Sequence, residues 1–233
     1  MIATISPAST LVCAHLSAQW PPKVLLVKRS DRARFLPGAH VFPGGRLEPC
    51  DLLLGEKLRK DLVNFSRIAS YFEQKPDLIS SHVAAALRET QEETGLVINK
   101  LDHIWPLSHW LTPSGESARF DTYFFLALLD QYGPTLAEST ETSDHRWLSP
   151  TAALDHHYRQ EIFMAPPTRA ILERMAISAS LADLISAVDK PIKAICPYFI
   201  EQGREKLLVL PGDPLHHEEK ASQFIMATRF NFP

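Results

Sequence analysis

The stretch Arg88-Glu89-Thr90-Gln91-Glu92-Glu93-Thr94-Gly95-Leu96 holds the residue types best suited to chemistry. Drawn as a helix at about 100° per residue with Glu89 at zero, Glu93 falls near +40° and Glu92 near −60°. Three carboxylates then share one arc of about 100°. Val83, Leu87 and Thr94 turn to the opposite side, where they can pack on a sheet. Arg88 precedes Glu92 by four residues and can brace it. Like charges this close destabilise a bare helix and shift one another's titration. Hard divalent cations, Mg²⁺ or Mn²⁺, prefer oxygen ligands and remove that cost, so the cluster reads as a metal platform. The plainer alternative is a solvated acidic helix face. Against it, Gly95 stops the helix directly after the cluster, and Phe42-Pro43-Gly44-Gly45 supplies a tight, backbone-exposing turn upstream.

The elements that must position these groups follow from pattern. Residues 10–16 and 23–28 are β-prone runs joined by Gln19-Trp20-Pro21-Pro22. Apolar residues Leu58, Leu62, Phe65, Ile68, Ala69 and Phe72 predict an amphipathic helix over 56–74, ended by Lys75-Pro76. Ser80-Ser81 is the expected cap of the next helix, which runs to Gly95. An extended stretch is expected at 96–98, an apolar strand at 120–129, and a short strand at 145–148 before a helix near Pro150. Two helices are expected within 166–189. A late β-hairpin should follow, from Ile192 to Ile200 and Lys206 to Leu210, turning at Gln202-Gly203.

Composition sets outer limits. The chain has 233 residues, 45% hydrophobic and 22% charged, which argues against wholesale disorder. A net charge of −3 gives no field that draws the whole molecule to nucleic acid or an anionic membrane. Cys13, Cys50 and Cys196 are few and scattered, so neither a disulfide framework nor a cysteine zinc site is expected. The longest apolar run, Tyr123 to Leu129, is far short of the ~20 residues that span a bilayer. With no basic residue before Lys23, and no Ser-Lys-Leu-type ending, a cytoplasmic protein is expected. Without repeats or an evident linker, residues 1–233 are expected to form one domain.

Gly45, Arg88-Glu89, Glu92-Glu93 and Gly95-Leu96 resemble the Nudix box, G-x5-E-x7-R-E-U-x-E-E-x-G-U with U apolar. The Arg-Glu-x-x-Glu-Glu-x-Gly part fixes five positions, a chance match of about one in a million per start at ~6% per residue type. The chain departs from the pattern three times. Asp51, not Glu, lies six residues after Gly45; Thr90 replaces an apolar residue; and 36 residues, not seven, separate Asp51 from Arg88. An insertion in a surface loop is thermodynamically cheap, so the halves can still meet. An interrupted box resembles one Nudix subgroup, which includes the peroxisomal coenzyme A diphosphatases of animals. Residues 41–45, 110–113, 119–125, 166–168 and 210–214 are also similar to that subgroup.

The resemblance implies a Nudix α/β/α sandwich with a mixed central sheet, a helical insertion at about 52–80 and an extension from about 165. These additions are candidates for a lid or a homodimer surface. It implies hydrolysis of a nucleoside diphosphate joined to another group, with Mg²⁺ or Mn²⁺ as cofactor. Coenzyme A or acyl-CoA is the leading substrate; ADP-ribose, NADH and capped RNA are alternatives, and a silent nucleotide- or protein-binding domain is another. By position, Glu92, Glu93 and the Gly45 carbonyl would bind metal. Glu89 would bind a second metal or activate water, and Arg88 would hold the glutamates. Glu141 is the favoured distal acidic ligand, with Glu138 and Asp144 as competitors. Arg34, Arg46 and Arg119 are candidate phosphate contacts, and Trp110 a candidate stacking surface, each also readable as surface or core. His82 lies on the carboxylate side but upstream. His156-His157, His216-His217, Cys50 and residues 57–60 read as structural or solvated.

Overall fold

Two long strands run side by side in parallel through the centre, and both are buried on both faces. β1 (Ile5–His15) pairs with β6 (Arg119–Leu129) from Ile5 opposite Arg119 to His15 opposite Leu129. A computed structural model describes residues 4–16, 20–33, 35–61, 65–99, 101–131, 142–188, 190–203, 205–217 and 228–232. Among these the other strands of the same sheet are β2 (Lys23–Arg29), β3 (His40–Val41), β4 (Gly44–Arg46), β5 (Ile104–Leu111) and β7 (Thr142–Leu148). They complete a seven-stranded mixed sheet ordered β3-β2-β1-β6-β5, with β4 also on β1 and β7 also on β2. Successive side chains of a strand point to opposite faces. Leu11, Cys13, Tyr123 and Phe125 therefore meet α2 (Phe65–Phe72) and α3 (Pro76–Thr94) on one side. Val12, Phe124 and Leu126 meet α4 (Pro150–Tyr158), α5 (Pro166–Ile177) and α6 (Leu181–Ser186) on the other. This is the expected α/β/α sandwich around a mixed sheet. A second sheet of β8 (Tyr198–Gln202), β9 (Glu205–Val209) and β10 (Arg229–Phe232) closes the second layer.

The region between the halves of the box differs from expectation. It holds two helices, α1 (Pro49–Asp61) and α2, where a single one over 56–74 was expected. Pro76 starts α3 and does not end α2, because a proline at the first helical position loses no hydrogen bond. Ser80 and Ser81 lie inside α3, with hydroxyls donating to the Asp77 carbonyl at 3.0 and 2.9 Å. The amphipathic pattern itself is real: Phe65, Ile68, Ala69 and Phe72 are all buried. α1 crosses α3 at Gly55, where a Cβ would stand 2.6 Å from the Ser81 nitrogen. Glycine is required by that close approach.

Residues 96–99 form no strand, whereas β5 arises where none was expected. β5 carries Pro106 at a register shift, on the edge of the sheet, where a missing N–H is tolerated. The late hairpin forms, shortened to β8 and β9 and joined by β10. Ile195 instead exchanges backbone hydrogen bonds with β5, from its nitrogen to His109 and from Leu111 to its carbonyl, each 2.9 Å. Among the described residues no helix is long and apolar enough to cross a membrane.

Among the described residues His40 and His82 are buried against the central sheet. His82 accepts or donates at 2.8 Å to Ser9 Oγ and packs on Tyr123, while His40 has neither ring nitrogen paired. Burial pushes both down to about 4. A group depressed in the fold binds its proton more readily when unfolded, so its contribution is complete above the usual 6.5 and is lost as pH falls toward 4. Each histidine is worth on the order of 1–3 kcal/mol by pH 4. Urea midpoints should therefore fall between pH 7 and pH 5, and His82→Gln should flatten that fall.

Candidate active site

The two halves of the box meet through one side-chain pair. Asp51, in the first turn of α1, is fully buried and receives Arg88 in a bidentate grip. Nε reaches Oδ1 and Nη2 reaches Oδ2, both at 3.0 Å. Asp51 Oδ2 also accepts from the Glu48 nitrogen at 2.8 Å, fixing the start of α1. Arg88 spreads further. Its Nη1 donates to Glu89 at 3.1 Å and Glu92 at 2.9 Å, and its Nη2 to the Arg46 carbonyl at 3.0 Å. The Asp51 carboxylate, then Glu89, holds the Arg88 guanidinium above its ordinary value. Charge-assisted forks of this kind carry direction as well as energy.

The glycine turn faces the carboxylates directly. β4 pairs with β1 so that Gly44 stands opposite Thr10 and Gly45 opposite Ser9. The Gly44 N–H donates to Glu93 at 3.0 Å. A Cβ on Gly45 would lie 2.3 Å from the Glu89 carboxyl carbon, so any larger residue there would displace that carboxylate. Gly95 closes α3 in the left-handed region at φ 73°, its N–H on the Gln91 carbonyl. Thr90 fills its usually apolar position because its hydroxyl is spent on the Ala86 carbonyl at 2.7 Å, leaving a methyl for the core.

These groups open onto a cleft of about 1040 Å³. Gly45, Arg46, Arg88, Glu89, Glu92 and Glu93 all line it. Glu92 is the most open of the three carboxylates at 58%, against 13% for Glu89, and Glu93 is buried. All are hard oxygen donors, and with the Gly45 backbone they suit a hard divalent cation. Among the described residues no three acidic, histidine or cysteine groups already stand in ligating geometry. Arg88 lies between Glu89 and Glu92, and Gly44 engages Glu93.

The other sequence-predicted residues divide. Trp110 lines the cleft from within the core, its indole N–H on Ser108 Oγ at 2.8 Å. The Arg46 guanidinium lies 5.4 Å from the Phe120 ring centroid, at the cleft rim. Arg119 is not among the lining residues; its Nε donates to the Thr112 carbonyl at 3.1 Å and ties the β5–β6 connection. Asp144 pairs with Arg146 at 2.6 Å and does not line the cleft. His82 is buried under the turn rather than in the cleft. Arg34, Glu138 and Glu141 lie outside the described residues. Glu116 and the half-buried rings Phe35 and Phe120, whose centroids are 5.4 Å apart, also line the cleft, and the sequence alone assigns none of them to the site. Phe35 and Glu116 lie on separate loops and Phe120 opens β6, so no local spacing marks them together.

Asp51→Asn removes a charge from the bidentate grip and should cost about 2–3 kcal/mol, less than a fully buried pair because Arg88 is 14% exposed. The loss is measured by urea unfolding, and turnover should drop at least tenfold as Arg88 swings free.

Comparison with known proteins comes from three directions. Residues 98–175 match the family described as the NUDT19 Nudix domain, a match lying wholly after the box and therefore independent of it. The chain is 26% identical to a putative nudix hydrolase 7 of Caenorhabditis elegans, over 89% of this chain and 74% of that one. It is 28% identical to the human acyl-coenzyme A diphosphatase NUDT19 over 89% of this chain, and spans 51% of the human protein. A NUDIX hydrolase from Alicyclobacillus acidocaldarius has the same fold, with TM-score 0.66, 22% identity and coverage of 80% of this chain and 97% of that one. Box, fold and matched domain agree in what the chain resembles, the Nudix hydrolases.

Proposed function

We propose that this chain is a divalent-metal-dependent diphosphatase that cleaves coenzyme A or acyl-CoA into 3′,5′-ADP and the (acyl-)4′-phosphopantetheine. The observation that carries the reading is the gathering of Glu89, Glu92 and Glu93 against the Gly44-Gly45 backbone at one large cleft. The named activity of the human, Xenopus laevis and Gallus gallus relatives supports the substrate.

Hydrolysis adds water oxygen to one phosphorus and releases the bridging oxygen with the other phosphate. Two tasks fall to the protein: countering the charge of the diphosphate and removing a proton from water. Glu92, Glu93 and the Gly45 carbonyl would hold the cation. When bound, such an ion neutralises the diphosphate and lowers the pKa of water. Glu89 takes the proton, positioned by Arg88 on one side and by the absence of a Gly45 Cβ on the other. Arg88 keeps the carboxylates apart and in register with the turn. Arg46 and the Phe35–Phe120 rings line the same cleft, within reach of a phosphate and a base.

The test is product mass after incubation with Mg²⁺ or Mn²⁺ and coenzyme A, acyl-CoA, ADP-ribose, NADH or capped RNA. The coenzyme A compounds should be cleaved fastest, with no turnover in chelator. Glu93→Gln and Glu92→Gln should each lower kcat by about 10²–10³. Preferred cleavage of another diphosphate would overturn the substrate. Cation-dependent binding without turnover on any of them would make the domain a binding module.

A further inference from the structure

The carboxylates explain where a diphosphate is cut; the far end of the same cleft bears on which diphosphate enters. The cleft floor crosses the sheet in register. Arg46 stands opposite Ala8, Ala8 opposite Thr122, and Thr122 opposite Trp110. At roughly 4.8 Å per strand this row spans about 14 Å, from the catalytic turn to Trp110. The C-terminal third lines the same cleft with Pro197 and Phe199 at β8, just after the Ile195 contact with β5, with Leu208 on β9, and with Pro166, Pro167 and Thr168 at the start of α5. Thr168 brings the one side-chain hydroxyl of these six, and none is charged. The Trp110 N–H is already spent on Ser108.

This wall is fixed to the floor. Ile195, just before β8, hydrogen-bonds His109 and Leu111 on either side of Trp110. Phe199 is held against Leu208 by strand pairing, and Lys206 Nζ lies 3.9 Å from its ring centroid. A sugar or base at this end would leave hydroxyls and ring nitrogens without partners, whereas each buried methylene of a hydrocarbon tightens binding by about fourfold.

We infer that this C-terminal wall is the specificity element of the cleft: it receives the substrate arm leading away from the diphosphate and selects an arm ending in an apolar acyl chain over the same arm with a free thiol. The inference rests on the proposed diphosphatase function. Phe199 and Pro167, on separate elements, are its specificity-determining residues; neither is asked to touch the reacting phosphates.

The experiment compares kcat/KM for octanoyl-CoA and free coenzyme A in wild type, Phe199→Ser, Phe199→Leu and Pro167→Ser, with a thermal melt of each. The wild type should prefer the acyl compound. Phe199→Ser should reduce the acyl-to-free ratio at least tenfold, chiefly through KM for octanoyl-CoA, and Phe199→Leu should restore most of it. Pro167→Ser, on a different element, should shift the ratio in the same direction and keeps the test open if Phe199→Ser does not fold. A wild-type ratio near one, or folded variants with an unchanged ratio, would overturn the inference while leaving the diphosphatase intact. A wild type that cleaves neither compound but cleaves another diphosphate would overturn both.

Discussion

The Asp51–Arg88 grip is the contact on which the site depends. The chain separates the glycine turn from the glutamate helix by two whole helices, and the box has meaning only if its ends return to one place. A buried carboxylate at the start of α1 holding a guanidinium on α3 at two points does this. The pair works as a positioning device more than as a source of stability, since desolvating two charges offsets much of their attraction. Its value lies in what the remaining guanidinium nitrogens reach: Glu89, Glu92 and the Arg46 carbonyl. One side chain thus ties together the inserted helix, the turn and the carboxylates.

The inserted helices become part of the frame rather than a decoration on it. α1 lies against α3 at the Gly55–Ser81 approach, and α2 buries its aromatic face beside Tyr123 and Phe125. The opposite layer is built from the C-terminal third, and that layer walls the cleft. The glutamates and the C-terminal lining residues therefore come from opposite layers, joined by floor residues on β1, β5 and β6. Changes in the wall can alter which substrate is taken without disturbing the Asp51–Arg88 grip.

Legibility in the sequence followed the range of the interactions. Glu89, Glu92 and Glu93 could be placed on one face because helical period is local, and Gly95 marked the end of α3 as its positive φ requires. The sandwich and its mixed sheet were legible through the box, not through strand patterns. β5 leaves no strand pattern because Pro106 breaks its run, and Pro76, a stop by pattern, is the start of α3. Asp51 stood out only as a departure from the expected glutamate; its bidentate contact needs a partner 37 residues away. The reach of Arg119 could not be read from its place before a strand, since a neighbouring loop carbonyl claims it. Glu116, Phe35 and Phe120 come together only through the packing of two loops around the start of β6, which no spacing encodes.

The central claim is that both halves of the box form one cation-holding site. Titration of Mn²⁺ into the protein, followed by the loss of the free-ion electron paramagnetic resonance signal, tests it without any substrate. The account predicts saturable binding in the wild type, competition by Mg²⁺, and binding weakened at least tenfold in both Glu93→Gln and Asp51→Asn, which lie on different halves. Equal Mn²⁺ affinity in the wild type and both folded variants would contradict it.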